Sequence, residues 1–232
     1  MSVQLGNYYC HFTRRRIRAL IKHHHYLHRI PIRNYKFAAT LHKPGGLFGD
    51  YGRVVAVILF SNATARWHIP LWELSRMVVL ENHPDITLTQ FMAAACAEIR
   101  RQKLTDIVIS YADSTVGHHG GIYQAASWYY SGRREPAMDG IILPDGRMVP
   151  GRTCNARWGT RSPAKLSRML NVDIKPHFDN GKHLYWKPIT KKGERIATEL
   201  GLEKLPYPKP EKEKTSIRQP RKLDKPFPTN GR

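Results

Sequence analysis

The clearest pattern in the chain is the segment at residues 71–112, LWELSRMVVLENHPDITLTQFMAAACAEIRRQKLTDIVISYA. Its two ends, Leu71–Leu80 and Asp106–Ala112, are short apolar runs that predict strands. Between them, apolar residues recur at helical spacing, and Thr87 with Gln90 forms a capping box, so a helix is predicted from Thr87 to Lys103. A strand, a helix and a second strand in this order favour an α/β fold.

Further elements are predicted on the N-terminal side of this segment. Residues Arg53–Phe60 read RVVAVILF, a continuous β-branched run typical of a strand covered on both faces. The patterns predict a helix at Arg14–His28, a strand at Lys36–Leu41 and a turn or mobile loop at Lys43–Leu47.

Four elements are predicted on the C-terminal side. We expect a helix within Gly117–Tyr130 that stops at Gly132, and a hairpin over Ile141–Pro150 that turns at Pro-Asp-Gly. Pro163–Leu170 predicts a short helix and His183–Ile189 a final strand.

The chain divides into a folded part and a tail. From about Pro206, proline alternates with charged residues and large apolar side chains almost disappear, so that segment buries too little surface to offset its ordering entropy. We therefore predict one domain at residues 1–190 and a basic, proline- and lysine-rich tail at 191–232 that is largely disordered.

Charge indicates the class of partner. The chain has 38 Lys and Arg against 18 Asp and Glu, a net charge of +20 and a pI near 10.2. Such a field concentrates polyanions, which in a cell are nucleic acids and membrane surfaces. The chain contains no run of about 18 apolar residues and no signal-peptide core before its first arginines, which argues against a membrane protein. Three widely spaced cysteines indicate neither a disulfide framework nor a zinc ribbon, so we expect a cytoplasmic protein, in the host cell cytoplasm if a phage encodes it.

A denser set of motifs lies between residues 111 and 132. These motifs are Tyr111-Ala112-Asp113, Gly117-His118, Gly120, Ile122-Tyr123-Gln124-Ala125 and Trp128-Tyr129-Tyr130-Ser131-Gly132, with Leu74-Ser75-Arg76 and His24-His25-Tyr26 upstream. Together they resemble the Mom family of phage DNA-modification proteins.

The resemblance implies a fold and an activity. The order strand, helix, strand, helix over residues 71–131 is similar to the central half of GCN5-related N-acetyltransferases, which implies a mixed central sheet flanked by helices. The family converts adenine in phage DNA to a carbamoylmethyl form that resists host restriction enzymes. The expected partner is therefore double-stranded DNA. The sequence leaves open whether the chain is a monomer or a homodimer.

The acceptor in such a reaction is the exocyclic amine of adenine, a poor nucleophile buried in the duplex. An enzyme must extrude the base, and a carboxylate beside it can take the proton as the new bond forms. Asp113, at the end of a predicted strand, is our candidate for that carboxylate. The alternative role for Asp113 is to cap the turn that follows it.

Histidines cluster near the N-terminus. His24 and His28 are four residues apart, which would place both on one helix face and allow metal binding, although surface histidines are commoner. A carbamoylmethyl group is an alkylated amine that simple acyl transfer cannot make. The resemblance therefore implies an iron-type site, for which the candidate ligands are His25, Tyr26, Asp113 and Tyr123.

The donor side has its own candidates. Residues 81–86, ENHPDI, lack the glycines with which acetyltransferases hold coenzyme A, so the acyl-type donor is either acetyl-CoA or an aminoacyl carrier. Arg76, Thr87 and His118 are candidate donor-binding residues, and Ser75, Arg76, Tyr123 and Tyr130 are candidate catalytic residues beside Asp113. Arg76 could instead pair with Glu73 or Asp106, and Tyr130 could be core.

Arginines are the candidate DNA contacts. The predicted phosphate-binding residues are Arg14, Arg15, Arg16, Arg133, Arg134, Arg157 and Arg161, which would set affinity rather than sequence choice. Two rival functions stay open at this point. One is a conventional acyltransferase acting on a small-molecule, transfer-RNA or protein amine, and the other is a non-catalytic DNA-binding protein.

Overall fold

The computed structural model describes residues 2–12, 35–43, 52–63, 67–80 and 88–209. The predicted helix at Arg14–His28, the turn at Lys43–Leu47 beyond its first residue, the N-cap Thr87 and the tail from residue 210 lie outside these ranges. None of the described helices is long and apolar enough to cross a membrane.

Most of the described chain builds one eight-stranded sheet in the order β1-β2-β3-β4-β5-β6-β11-β7. Its strands are β1 Ser2–Leu5, β2 Tyr8–Phe12, β3 Tyr35–His42, β4 Val54–Asn62, β5 Trp72–Val79, β6 Ile107–Asp113, β7 Tyr129–Arg133 and β11 Lys182–Pro188. Only the β5–β6 pair is parallel and every other neighbouring pair is antiparallel. The sheet is therefore mixed, as predicted.

Helices cover both faces of the sheet. Helix α1, Leu88–Arg101, buries Phe91, Met92, Ala95, Cys96 and Ile99 against one face. Helix α5, Lys191–Glu199, packs on the other face over Ile107, Ile109, Leu184 and Trp186. We call these the α1 face and the α5 face. The predicted strand at Arg53–Phe60 is β4, whose residues Val55–Ser61 are all buried, so the expectation of cover on both faces is confirmed.

The helix predicted within Gly117–Tyr130 is present but short, and the predicted end at Gly132 is wrong. Only Gly121–Ala125 is helical (α2), and Tyr129–Arg133 is strand β7. Aromatic residues favour strands, and here Trp128 and Tyr130 pack toward the α1 face while Tyr129 packs toward the α5 face. The sequence alone does not reveal this alternation, because an unbroken aromatic run at Trp128–Tyr130 fits either a helix or a strand.

The predicted boundary at residue 190 lies too early. Helix α5 is folded, and the chain after it stays attached to the sheet through several hydrogen bonds. The indole of Trp186 donates to Glu203 O at 2.8 Å, Leu205 N to Tyr130 O at 2.8 Å and the Tyr207 hydroxyl to Trp128 O at 2.9 Å. The segment looks polar in sequence because only a few of its residues, such as Ala197 and Leu202, are buried.

A smaller unit is inserted between β7 and β11, at residues 134–181. Its elements are β8 Met138–Ile142, β9 Met148–Pro150, α3 Gly151–Trp158, α4 Pro163–Leu170 and β10 Lys175–Phe178. The three strands form a separate sheet in the order β10-β8-β9. The hairpin and the short helix predicted here are confirmed. We call residues 134–181 the inserted unit.

Replacing Gly193 with alanine tests whether α5 belongs to the folded domain. A Cβ at this position would overlap the backbone carbonyl of Asp106, so the helix must shift off the sheet. We expect Gly193→Ala to lower the free energy of unfolding by about 2 kcal/mol, measured by denaturant titration. The exposed neighbour Arg195→Ala should change it by less than about 0.5 kcal/mol. Equal effects of the two substitutions would contradict this packing.

Candidate functional site between strands β5 and β6

The two central parallel strands separate soon after they meet. Their pairing consists of Trp72 with Val108 and Glu73 with Ile109, yet β5 continues to Val79 and β6 to Asp113. The Ser110 hydroxyl, which donates to Leu74 O at 2.8 Å, bridges the two strands just beyond this pairing. We call the gap beyond Leu74 and Ser110 the fork. Clefts at the carboxyl ends of diverging parallel strands are common ligand sites in α/β proteins.

Strand β5 carries a bulge where the fork begins. Phe60 pairs with Leu74 and Leu59 with Arg76, so Ser75 is the extra residue. Its hydroxyl donates to Leu59 O at 3.3 Å, and the Arg76 guanidinium donates to Ser75 O. Bulges re-aim side chains and are frequent beside active sites. The structure thus places Ser75 and Arg76, both half-buried, at the fork. Asp106, one suggested partner of Arg76, instead bonds Thr190 and Lys192.

Tyr123 reaches the other side of the fork from α2. It is buried, and its hydroxyl donates to Ser110 Oγ at 2.7 Å, because the single Ser110 proton is used by Leu74 O. Because Ser110 also bonds Leu74 O, one hydroxyl connects α2, β6 and β5 at the point where the strands separate. Tyr123 is thus joined to the fork by a polar contact.

Three tyrosine rings form a row across the α1 face. Tyr185 on β11 lies 5.2 Å from Tyr123 and 5.2 Å from Tyr130, measured between ring centroids. The Tyr130 hydroxyl is hydrogen-bonded to His183 Nδ1 at 2.9 Å. Tyr130 is therefore core, as one prediction allowed, and it also carries a polar contact. We call Tyr123, Tyr185 and Tyr130 the tyrosine row.

The segment Gly117–Gly120 is shaped to hold this row. Gly120 has φ +84°, and a Cβ there would overlap the Tyr185 ring, so only glycine fits. The Tyr185 hydroxyl donates to His119 O at 2.6 Å and accepts from the Gln124 side chain at 3.0 Å. His118, a candidate donor-binding residue, is exposed, and its backbone N–H closes the turn on Asp113 O at 3.1 Å.

Asp113 ends β6 and caps the turn that follows. Its Oδ1 accepts from Thr115 N at 3.0 Å, the capping role that the sequence left open. Across the sheet it pairs in register with Lys182, whose pKa is raised because the Asp179 hydrogen bond and the nearby carboxylates, Asp113 included, outweigh the opposing effect of burial. Only Oδ1 is used by the cap, so Oδ2 is left for a second partner.

Asp113 and Tyr123 do not fit one metal ion. Side chains alternate along a strand, so Ser110, which contacts Tyr123, points to the α1 face, whereas Asp113 belongs with Ile109 to the α5 face. Ser110 and Asp113 are about 10 Å apart along the strand. Two oxygen ligands of one metal ion lie within about 4 Å of each other, so Tyr123 beside Ser110 and Asp113 cannot both bind it. His25 and Tyr26 lie outside the described residues. Across the ranges that the structure describes, no three His, Cys, Asp or Glu side chains are placed to hold a metal.

The predicted DNA contacts that are described lie in or beside the inserted unit, and all are exposed. Arg133 donates to Asn180 O, and Arg134 stacks 5.5 Å from the Trp67 ring. Arg157 stacks 5.0 Å from Trp158, and Arg161 packs its aliphatic part on Gly151. Arg14, Arg15 and Arg16 lie outside the described residues, as does Thr87.

Sequence reasoning missed three members of this site: Ser110, His183 and Tyr185. All three lie on strands that were predicted, but they were assigned no role. The signal was the alternation in His183–Ile189, where His183 and Tyr185 share a face opposite Leu184 and Trp186. His183 and Tyr185 place two aromatic rings with polar groups on the face that also carries Tyr130. This pattern indicates that the face is not purely apolar core.

Comparison with known proteins now defines the class: this mixed α/β chain is a phage DNA-modification protein. The model of the Mom protein family matches residues 10–209. The chain belongs to the Mom family. No curated protein matches the sequence.

The pH dependence of stability tests the burial of the tyrosine row. Burial raises the pKa of Tyr185 from 10.0 to about 12, although the Gln124 hydrogen bond acts the other way. Within that interval the unfolded chain loses the phenolic proton and the folded chain keeps it, so unfolding releases a proton and stability falls as pH rises. Burial raises the pKa values of Tyr111 and Tyr130 as well.

We therefore expect Tyr185→Phe to melt at a lower temperature than wild type near neutral pH, because it loses hydrogen bonds worth about 1 kcal/mol each. Its melting temperature should then fall less steeply than that of wild type at alkaline pH. Thermal melts from about pH 8 to about pH 11 measure both effects. A variant with the wild-type alkaline slope would show that Tyr185 is not the group responsible.

Proposed function

We propose that this chain is the enzyme that converts adenine in phage DNA to its carbamoylmethyl form and so protects the DNA from host restriction. Membership of the Mom family supports a DNA-modifying role. The observation that supports the chemical part is the fork, which begins at the bulge of Ser75 and Arg76 on β5 and at the hydrogen-bonded pair Ser110 and Tyr123 beside β6.

The proposal assigns the fork to the group donor. A strand, a helix and a parallel strand that then diverge, as β5, α1 and β6 do, support an acetyltransferase-like arrangement. An acyl or aminoacyl donor would lie with its carbonyl near Ser75 and Arg76, since a bulged strand and a guanidinium supply donors that favour a carbonyl or phosphate oxygen. Asp113 and Tyr123 would not share one iron ion, because they lie on opposite faces of the sheet. Transfer of an acyl group alone would give an amide, so the alkylated product also requires a redox or rearranging cofactor held by residues other than that pair.

The acceptor base would enter from the edge at which β6 ends. Adenine must leave the duplex stack before its amine can react. Asp113 lies at this edge beside Lys182, on the face opposite Tyr123, so the proposal makes its carboxylate the acceptor, through intervening water, of the proton that the amine loses. The chain's net charge of +20 would supply the affinity for the DNA backbone.

Expression in a bacterium tests the function directly. DNA from induced cells is digested to nucleosides, and mass spectrometry measures the fraction of deoxyadenosine in which a carbamoylmethyl group replaces one hydrogen. We expect modified deoxyadenosine with the wild type and at least about tenfold less with Tyr123→Phe, since a positioned hydroxyl contributes at least this much to a rate. Tyr207→Phe, which also removes one phenolic hydrogen bond, is the matched control and should keep the modification. Soluble wild-type protein with unaltered deoxyadenosine would refute the proposal.

Asp113→Asn separates catalysis from capping. Asparagine keeps an oxygen for the Thr115 N–H, so the turn and the melting temperature should be unchanged. It removes the basic carboxylate, so modification should fall by about a hundredfold. Asp145→Asn, in the exposed hairpin turn of the inserted unit, controls for loss of one negative charge and should modify normally. Full modification by Asp113→Asn would reduce Asp113 to a capping residue.

A further inference from the structure

The inserted unit is built as a small domain with its own core. Ile141, Cys154, Leu166 and Ile174 are buried together and separate from the core of the large sheet. Gly140 allows β8 and β9 to approach so closely that a Cβ would meet Val149 O at 2.6 Å. The unit therefore holds a defined surface of its own.

Two short helices form the outer part of this unit. Helix α3 ends at Gly159 with φ +69°, and α4 begins after the N-cap Ser162, so a turn of four residues joins them. Helix α4 is amphipathic: Leu166 is fully buried, whereas Lys165, Arg168 and Met169 are exposed, the last by 58%. A helix, a short turn and a second helix with a free outer face are the parts of a helix-turn-helix reader.

The outer surface of the helix pair is positive throughout. Between Asp145 and Asp173 the sequence has no acidic residue, and the two helices and their turn contribute Arg152, Arg157, Arg161, Lys165 and Arg168. All five are exposed, and none forms an ion pair within the described part of the chain. Ordinary solvated helices intersperse both signs of charge, so this surface fits a polyanion.

The unit is anchored at the edge that carries Asp113. Asn180 N donates to Thr115 Oγ1 at 2.9 Å, and the Ser114 hydroxyl donates to Gly181 O at 2.6 Å. Where the chain enters and leaves the unit, Arg134 N donates to Lys182 O at 2.8 Å. The buried Asp179 carboxylate accepts from Ala137 N, Gly181 N and Lys182 Nζ, and these bonds hold the two connecting segments together. DNA held on the inserted unit would therefore lie next to the candidate site.

We propose that the inserted unit reads the bases that flank the target, with α4 in the major groove of duplex DNA. Lys165 and Arg168 contact base edges, for which guanine is the preferred partner of both side chains. Arg152 and Arg157 on α3 contact phosphates and fix the register. This inference rests on the proposed function, because it gives the modified adenine a preferred sequence context set by the distance from α4 to the site.

Binding by the purified full-length chain tests the inference without reference to chemistry. Selection from a library of random duplexes should give the wild type a preferred sequence. The double variant Lys165→Ala/Arg168→Ala should lose that preference and bind the selected sequence at least about tenfold more weakly, since each base contact is worth about 1–3 kcal/mol. Arg157→Ala should weaken binding to all sequences alike and reduce the salt slope by about one.

Arg147→Ala is the matched control. It removes a cation from the same unit, but one that is already paired with Asp145 at 2.6 Å in the hairpin, and it should keep both affinity and preference. Thermal melts of each variant check that the substitutions at these exposed positions leave the fold intact. A double variant that keeps the wild-type preference would overturn the inference, as would a wild type that binds all duplexes equally.

Sequencing the context of modified adenines in cells separates the two proposals. If the double variant modifies adenine in the same sequence contexts as the wild type, the base-reading role is refuted and the proposed function is unaffected. A wild type that binds selectively but never alters deoxyadenosine refutes the proposed function and leaves the base-reading role in place.

Discussion

The early separation of β5 and β6 is the constraint on which the rest of the site depends. Two parallel strands joined by a helix would ordinarily pair along their length, but here the ladder ends after Glu73 and Ile109. The bulge at Ser75 takes β5 out of register on one side, and the Ser110 hydroxyl replaces the next ladder bond on the other. Backbone groups freed from the ladder need other partners, and a bound ligand can supply them.

Strand β11 connects the strands of this fork to β7 and to the inserted unit. It pairs with β6 on one side and β7 on the other, which brings His183 and Tyr185 beside residues at least fifty positions earlier in the sequence. The same strand begins at Lys182, where the inserted unit returns to the large sheet. One strand therefore sets the tyrosine row, the register of Asp113 against Lys182 and the attachment of the inserted unit.

Local patterns predicted most of the elements because each pattern reflects a local cause. The sequence predicts β4 from its β-branched run and α1 from its amphipathic spacing. A strand buried on both faces gives a continuous apolar run, whereas a helix buried on one side gives apolar residues at helical spacing. The segment around Trp128–Tyr130 was misassigned because an unbroken aromatic run fits either period, and only pairing with β11 makes it a strand. The end of the domain was placed too early, because α5 has few buried side chains and reads as polar.

The sequence by itself determined the α/β class, the central strand–helix–strand unit, the positive charge and the resemblance to the Mom family, because composition, periodicity and motifs are properties of consecutive residues. It also located Ser75, Arg76, Asp113, Tyr123 and Tyr130 as residues of interest. Only the tertiary structure decided that Asp113 and Tyr123 lie on opposite faces of β6, that Ser110, His183 and Tyr185 join the site, and that a second small core carries the cations of α3 and α4. The physical reason is that these relations arise from pairing between strands distant in sequence, which no local pattern encodes.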